Sequence, residues 1–329
     1  MNQNNEIKKS KGIPNCGNSC FMNSVFQMLY SINNFRDKIL DYNKKSKNIE
    51  EIKKIFTLLN KNNKIKQKNI IISYEKLYKL FTNENLYKQQ DAAEFLMKIL
   101  ILFEKEENIK KIFTFNIIRN SFCLKIKTNK KIQEEEKTDK NFNILLLDIK
   151  ENSIQKNIEF FEKPEQVNLS RCSKSETSYI TNLIEIPENN NYLIINLKRY
   201  NNNRTFNNKF IEINHNIEIN ENKYFLIGTI FKSGSANSGH YVYCTYKNGK
   251  INFTYNDNKV YDHEHSSMEL NKNAYILLYK KITINHLLKK KQNQKQKIDK
   301  NIDEKINKLD ANLKNRKNIS KNEINLLKK

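Results

Sequence analysis

Apolar residues in the first third of the chain recur three and four positions apart. From about Cys20 they fall at Met22, Val25, Leu29, Ile32, Phe35 and Ile39, which predicts a helix. The Gly, Pro and Asn residues between Gly12 and Ser19 predict the loop that leads into it. Ser73 opens a second amphipathic stretch through Leu77, Leu80 and Phe81. Asp91-Ala92-Ala93-Glu94 has the form of a capping box ahead of Phe95, Leu96, Ile99, Leu100 and Phe103. From Phe113 the pattern changes to short β-prone runs, Ser121 to Ile126, Phe142 to Ile149 and Ile180 to Ile186, separated by charged turns. Longer runs rich in Ile, Tyr and Phe follow at Tyr192 to Tyr200, Tyr224 to Phe231, Tyr241 to Tyr246, Ile251 to Tyr255 and Ala274 to Tyr279. Helices followed by strands predict an α+β fold.

The pattern changes once more after Lys281, where Ile298, Ile302, Ile306 and Leu309 recur at helical spacing among charges, without Gly or Pro. This reads as an appended tail, helical or loosely ordered. From Lys281 onward it holds 15 basic residues against 5 acids, and so +10 of the chain's net +23. A basic chain raises nucleic acid or an anionic membrane as a partner. No recognisable nucleic-acid module is present, however, and no run approaches the roughly 18 apolar residues of a membrane span. The expectation is a soluble protein with neither partner. At 329 residues, 38% apolar and 29% charged, the chain has a lean core under a polar surface. Its five cysteines (Cys16, Cys20, Cys123, Cys172, Cys244) are odd in number and in no disulfide-like spacing, and the N-terminus lacks an apolar signal region. A reducing intracellular compartment, cytoplasmic and/or nuclear, is expected.

Two residues stand out as chemistry. A cysteine becomes a nucleophile when its thiolate is favoured, and helix N-termini and neighbouring histidines both favour it. Cys20 opens the first predicted helix, so backbone N–H groups and the positive end of the dipole face its sulfur. Of the five histidines, His215, His263, His265 and His286 lie among acidic or polar residues, whereas His240 follows the small-residue loop Ser233 to Gly239 and begins an aromatic strand. Asn248-Gly249 is a strong hairpin signal, so the strand from His240 returns antiparallel and ends at Asn256-Asp257. An ideal two-residue hairpin puts Asp257 across from His240, and one bulged residue substitutes Asn256. Either delivers a group that orients the imidazole.

With these segments in hand, the chain resembles the ubiquitin-specific proteases. Gly12-Ile-Pro-Asn-Cys-Gly-Asn-Ser-Cys-Phe-Met-Asn-Ser-Val-Phe-Gln27 resembles the family's cysteine box, and Lys88-Gln-Gln-Asp-Ala-Ala-Glu-Phe-Leu96 its glutamine-aspartate box. Gly239-His-Tyr-Val-Tyr243 with Tyr255-Asn-Asp257 resembles its histidine box. Tyr192 to Tyr200 and Ala274 to Tyr279 are similar to two further strands, all in the family's order, over roughly residues 12 to 280.

The resemblance implies a papain-like α+β peptidase. It implies a helical thumb from about Gly12 to Glu107, a reduced β fingers extension to about Pro187 and a β-sheet palm to Lys280. It makes Cys20 the nucleophile, His240 the general base and acid, and Asn256 the orienting residue in place of Asp257, which stays as an auxiliary. Asn15 becomes the oxyanion-stabilising amide together with the Cys20 N–H. Gln90, Asp91, Glu94, Gly239 and Tyr241 become the positions that hold ubiquitin's extended C-terminal tail, whose arginines acids can pair. Ubiquitin and ubiquitinated proteins are the implied partners, and no cofactor is implied. Many family members bind zinc through two Cys-x-x-Cys pairs in the fingers, but only Cys123 and Cys172 remain here, and a tetrahedral site needs four good ligands. No metal is therefore expected. Ser19 and Ser238 replace the commoner Thr and Gly of the family boxes, and the family's tryptophans are missing, since the chain has no Trp. The rival readings are a catalytically inactive ubiquitin-binding scaffold of the same fold and a basic nucleic-acid-binding protein.

Overall fold

Every residue of the helix that opens at Cys20 is buried. A helix enclosed on all sides belongs to a core rather than a surface, and the rest of the molecule is arranged about this one. The computed structural model describes residues 9–60, 65–80, 88–125, 128, 131–173, 176–200, 205–234, 239–262 and 271–283. The helices are α1 (Cys20–Ser31), α2 (Asn33–Leu40), α3 (Lys47–Asn60), α4 (Gln67–Tyr78), α5 (Ala92–Ile101) and α6 (Glu107–Lys110). The continuous helix expected from Cys20 to Ile39 is broken at Ile32, whose backbone is extended at φ −83° and ψ 97°. Ser73 opens no helix. It lies inside α4, where its hydroxyl donates to Glu51 Oε2 at 2.8 Å and ties α4 to α3. Rings lock the bundle: Phe26 stacks on Tyr74 at 5.5 Å, and Phe95 meets Phe21 and Phe26 edge-on at 5.5 and 5.7 Å. Each such buried ring stabilises by about 1.5–3 kcal/mol over exposure.

The strands and one further helix follow as β1 (Phe115–Lys125), β2 (Lys131–Phe142), β3 (Leu145–Leu147), α7 (Ile154–Glu162), β4 (Glu165–Val167), β5 (Glu176–Glu185), β6 (Tyr192–Leu197), β7 (Asn216–Ile219), β8 (Asn222–Gly234), β9 (Gly239–Lys247), β10 (Lys250–Asn256), β11 (Lys259–Asp262) and β12 (Ala274–Lys281). A four-stranded sheet runs β2-β1-β5-β4. The larger sheet runs β11-β10-β9-β8-β12-β6-β3, with β7 paired to β8. The segment expected to be wholly a fingers extension therefore crosses back, since β3 pairs in parallel with β6 at the edge of the larger sheet. Helix α7 buries Ile154 and Ile158 in the same cluster as Leu145 and Leu147.

Two of the five cysteines pair, against the expectation from their spacing. Cys123 and Cys172 form a disulfide across 49 residues of sequence. The cause is non-local: Cys123 on β1 pairs with Ser178 on β5, and Cys172 lies on the segment that enters β5.

Alternation divides the larger sheet into two buried faces. Ile194, Tyr241, Tyr243, Tyr255, Ile276 and Leu278 belong to the cluster that holds α1, whereas Leu193, Ile195, Leu197, Cys244, Leu277 and Tyr279 belong to the one that holds α7. Arg199 beyond β6 is fully buried, and its guanidinium donates to the carbonyls of Ala274, Asn207, Lys209 and Asn271 at 2.5 to 3.1 Å. It fastens the loop after β6 to the start of β12.

The β9–β10 hairpin turns at Asn248 and Gly249, both left-handed with φ 53° and 75°. Its register is that of an ideal hairpin as far as Ile251 opposite Tyr246, then shifts, so that Phe253 faces Thr245 and Tyr255 faces Tyr243. Asn252 is the extra residue of a bulge.

The chain divides into Met1–Lys281 and Ile282–Lys329. The basic tail beyond Thr283, Ser238, His263, His265 and His286 lie outside the described residues. Among the described residues no helix is long and apolar enough to cross a membrane.

Candidate active site

Cys20 is the first residue of α1, and Ser19 before it makes no side-chain cap. The Ser19 hydroxyl instead accepts the Cys16 N–H at 2.8 Å. The positive end of the helix is thus left to act on the Cys20 sulfur. His240, second in β9, brings its Nε2 to 2.7 Å from Asn256 Oδ1, and it also hydrogen-bonds Cys20. With Nε2 donating to Asn256, Nδ1 faces the thiol. Gln89 Nε2 lies 3.5 Å from the Cys20 sulfur.

The three free thiols differ sharply. Burial pushes Cys16 up to about 11, and burial pushes Cys244 up to about 12, so both stay protonated. Cys20 is buried as well, and burial opposes its ionisation. The hydrogen bond from His240, then those from Gln89 and the Tyr241 backbone N–H, outweigh burial and hold the thiol below its ordinary value. The same bond to Cys20 raises His240 to about 9 against burial, with Asn256 and the charges of Cys20 and Asp257 adding to it. The two shifts favour the thiolate and the imidazolium, the pairing that activates a cysteine nucleophile.

Asp257 does not bond His240. Its backbone is left-handed at φ 51°, its carbonyl accepts Ile13 N–H at 2.8 Å, and its two carboxylate oxygens accept Asn15 Nδ2 at 2.8 Å and Asn23 Nδ2 at 2.7 Å. Asn15 Oδ1 in turn accepts the Ser19 N–H at 3.1 Å. One amide N–H of Asn15 goes to Asp257, and the second has no partner among the described residues.

A sequence model of the family described as ubiquitin carboxyl-terminal hydrolase matches residues 11–279. This chain belongs to that family. A curated relative, "Ubiquitin carboxyl-terminal hydrolase 12" of Salmo salar, is 37% identical over 97 residues, which cover 27% of this chain and 25% of that protein. The match thus spans about a quarter of the relative's length. Among solved structures, the SAGA DUB module of Ubp8, Sgf11, Sus1 and Sgf73 bound to monoubiquitin aligns at TM-score 0.65 and 23% identity, covering 83% of this chain and 69% of that one. The same module bound to ubiquitin aldehyde aligns at TM-score 0.66 and 24% identity, covering 83% and 70%. The likeness shows the fold, the papain-like α+β arrangement of a ubiquitin-specific protease catalytic domain.

Beside the Cys20–His240 pair of this hydrolase fold, a cleft of about 820 Å³ is lined by residues including Gln89, Gln90, Asp91, Glu94, Lys232 and Tyr241. Asp91 has two attachments. Its Oδ1 caps α5 by accepting the N–H groups of Ala93 and Glu94 at 2.8 and 3.0 Å, and its Oδ2 accepts the hydroxyls of Tyr275 and Tyr241 at 2.7 and 3.3 Å. Glu94 is exposed at the cleft, and Gly239 has no room for a side chain, since a Cβ would stand 2.7 Å from the Ser233 backbone oxygen. Lys232 itself is buried, with its ammonium 4.5 Å from the Phe206 ring centre and 5.4 Å from that of Tyr200. Burial lowers its pKa, against the attraction of Asp91 and Cys20.

Four of these residues were missed in the sequence. Gln89 sat within the quoted glutamine-aspartate segment, but which glutamine reaches the thiol depends on the turn before α5. Asn23 likewise sat within the quoted cysteine box, whereas Lys232 and Tyr74, whose hydroxyl donates to Asn23 Oδ1 at 2.6 Å, carried no local signal, since each acts through contacts distant in sequence.

The fingers do not fit a structural zinc site. Among the described residues, the side-chain group close enough to share a metal ion is Cys123, Cys172 and Glu176. Its two sulfurs are bonded to one another and supply no thiolate.

Proposed function

We propose that this chain is a deubiquitinating cysteine peptidase that hydrolyses the isopeptide or peptide bond after the C-terminal glycine of ubiquitin. Residues 12–280 are its catalytic domain, and ubiquitinated proteins inside the cell are its substrates. The observation that carries the reading is the contrast among the free thiols: Cys20 alone has a lowered pKa, and it shares a hydrogen bond with a histidine raised to about 9. The solved relatives carry monoubiquitin or ubiquitin aldehyde, which supports ubiquitin as the acyl donor.

In this reading the Cys20 thiolate attacks the carbonyl carbon of the terminal glycine. The negative charge moves to the carbonyl oxygen, where the Cys20 backbone N–H and the remaining Asn15 N–H receive it. His240 passes its proton to the leaving amine, and the thioester forms as the C–N bond breaks. Water, giving a proton back to His240, then attacks the thioester carbonyl, and the C–S bond breaks to release the carboxyl terminus and restore the Cys20 thiolate beside the protonated histidine. Asn256 keeps the ring in the orientation that both transfers need. Asp91 and Glu94 supply negative charge along the cleft for a basic tail, with Gln90, Gly239 and Tyr241 shaping its passage.

Release of a fluorophore from a ubiquitin C-terminal amide tests this directly. Wild type should turn over, and Cys20→Ser should lose turnover yet still bind ubiquitin. Binding without turnover by wild type would make the protein a scaffold, and probe capture by Cys16 or Cys244 would move the nucleophile elsewhere.

A further inference from the structure

Behind the catalytic groups runs a hydrogen-bonded chain that starts on a helix taking no part in the cleft. Tyr74 on α4 is fully buried, and its hydroxyl donates to Asn23 Oδ1 on α1 at 2.6 Å. Asn23, 2% exposed, uses its Nδ2 on Asp257 Oδ1 at 2.7 Å and on Ile13 O at 3.2 Å. Asp257 Oδ2 accepts from Asn15 Nδ2 at 2.8 Å.

The chemistry of this chain admits one direction. If the Asn23 amide were reversed, its oxygen would face the Asp257 carboxylate and lose its donor, so the two must meet N–H to oxygen. The same holds for Asn15, whose reversed amide would set oxygen against carboxylate and nitrogen against the Ser19 N–H. Burial raises the Tyr74 phenol well above its ordinary value, so the hydroxyl keeps its proton and remains the donor that starts the chain. Without that proton donor, Asn23 Oδ1 is a buried acceptor with no partner, and the amide gains by turning away from Asp257.

We propose that Tyr74 is a positioning residue for acyl transfer: through Asn23 and Asp257 it fixes which way the Asn15 amide points. The inference rests on the peptidase reading above for what the Asn15 N–H does, though the positioning itself is a matter of structure alone. Its consequence separates two reactions of the same thiol. Hydrolysis passes through an oxyanion that needs the Asn15 N–H. Alkylation of Cys20 by iodoacetamide makes no oxyanion and needs only the thiolate.

The test uses the full chain and Tyr74→Phe, which keeps the ring stacked on Phe26 and removes the hydroxyl. The expected result on a ubiquitin C-terminal fluorogenic amide is a kcat about tenfold lower with KM within about twofold, since an oxyanion donor contributes about 10²–10³ in kcat when removed outright. Cys20 alkylation should keep its rate and pH profile. A crystal structure of the variant should find the Asn15 amide displaced from Asp257, and Asn23→Ala should repeat the pattern. An unchanged kcat, a fall in alkylation matching the fall in kcat, or Asn15 still seated on Asp257 in the variant would each overturn the proposal. Absence of turnover in wild type would instead sink the peptidase reading, and the position of Asn15 in the two crystal structures would still decide the role of Tyr74.

Discussion

The raised pKa of His240 makes a prediction whose size follows from its causes. His240 stands at about 9 against an ordinary 6.5, first through its hydrogen bond to Cys20, then through Asn256 and the charges of Cys20 and Asp257, with burial pulling the other way. Cys20→Ala removes the first cause and one of the charges but leaves burial intact. The histidine should therefore fall by about two pH units, toward its ordinary value. At about 1.4 kcal/mol per unit, discounted for solvent around a partly buried ring, the lost interaction is on the order of 2 kcal/mol. The signs run in opposite senses for the two partners. His240 binds its proton more tightly when folded, so its stabilisation is complete below pH 6.5 and is lost as pH rises through about 9. Cys20 has a lowered folded value, so its stabilisation is complete above 9.0 and is lost as pH falls through that lowered value. The ion pair occupies the window between, and the two groups titrate as a unit. NMR titration of imidazole carbons in wild type and Cys20→Ala, with His240→Gln to identify the signal, measures the shift. A histidine still near 9 in Cys20→Ala would mean that Asn256 and Asp257 hold the proton, and the thiolate–imidazolium account would fall.

Asn256→Ala and Asp257→Ala should fail in different ways. Loss of Asn256 frees the ring that it holds at 2.7 Å, so both kcat/KM and the alkylation rate of Cys20 should drop, the former about a hundredfold. Loss of Asp257 strands two amides, so kcat and melting temperature should fall while alkylation persists; the reverse assignment of the two signatures would refute the division. In the fingers, reductant or Cys123→Ser should lower the melting temperature, because a crosslink over 49 residues stabilises by about 4 kcal/mol in the loop-entropy account, whereas chelators should leave it unchanged. Stoichiometric zinc in purified protein, lost with the fold on chelation, would contradict this.

What could be read in the sequence is what local patterning determines. Cys20 at a helix start, the Asp91 cap and the Asn248-Gly249 turn are set by residues within a few positions of one another, and each was legible. Strand β2, with Glu134, Glu135 and Glu136 in its middle, was not, because an exposed edge strand shows no apolar alternation. Helix α7 escaped notice although Ile154, Ile158 and Phe161 recur at helical spacing, because only about two and a half turns of it stand between strands. The Cys123–Cys172 bond depends on how β1 pairs with β5, which no spacing rule carries. Loop-borne contacts such as Gln89 with Cys20, 69 residues apart, were invisible for the same reason.

The bulge at Asn252 explains why hairpin arithmetic and family resemblance pointed to neighbouring residues. In an unbulged hairpin, side chains across from one another have one odd and one even number, which gives Asp257 to His240. Adding Asn252 changes the pairing to odd with odd and even with even, as Phe253 opposite Thr245 and Tyr255 opposite Tyr243 record. Continued by one residue, this register sets Asn256 on the face of Val242, and therefore on the face of His240 two positions before it. Asp257 follows Tyr255 onto the opposite face, where α1 lies, and its left-handed backbone aims the carboxylate at Asn15 and Asn23. One inserted residue thus gives the neutral amide to the imidazole and the full charge to the Asn15 and Asn23 amides. Exchanged, the carboxylate would stand against the imidazolium, and Asn256 would meet two amide donors with one carbonyl oxygen between them. The bulge is what lets two consecutive polar residues serve separate partners, Asn256 the imidazole and Asp257 the Asn15 and Asn23 amides.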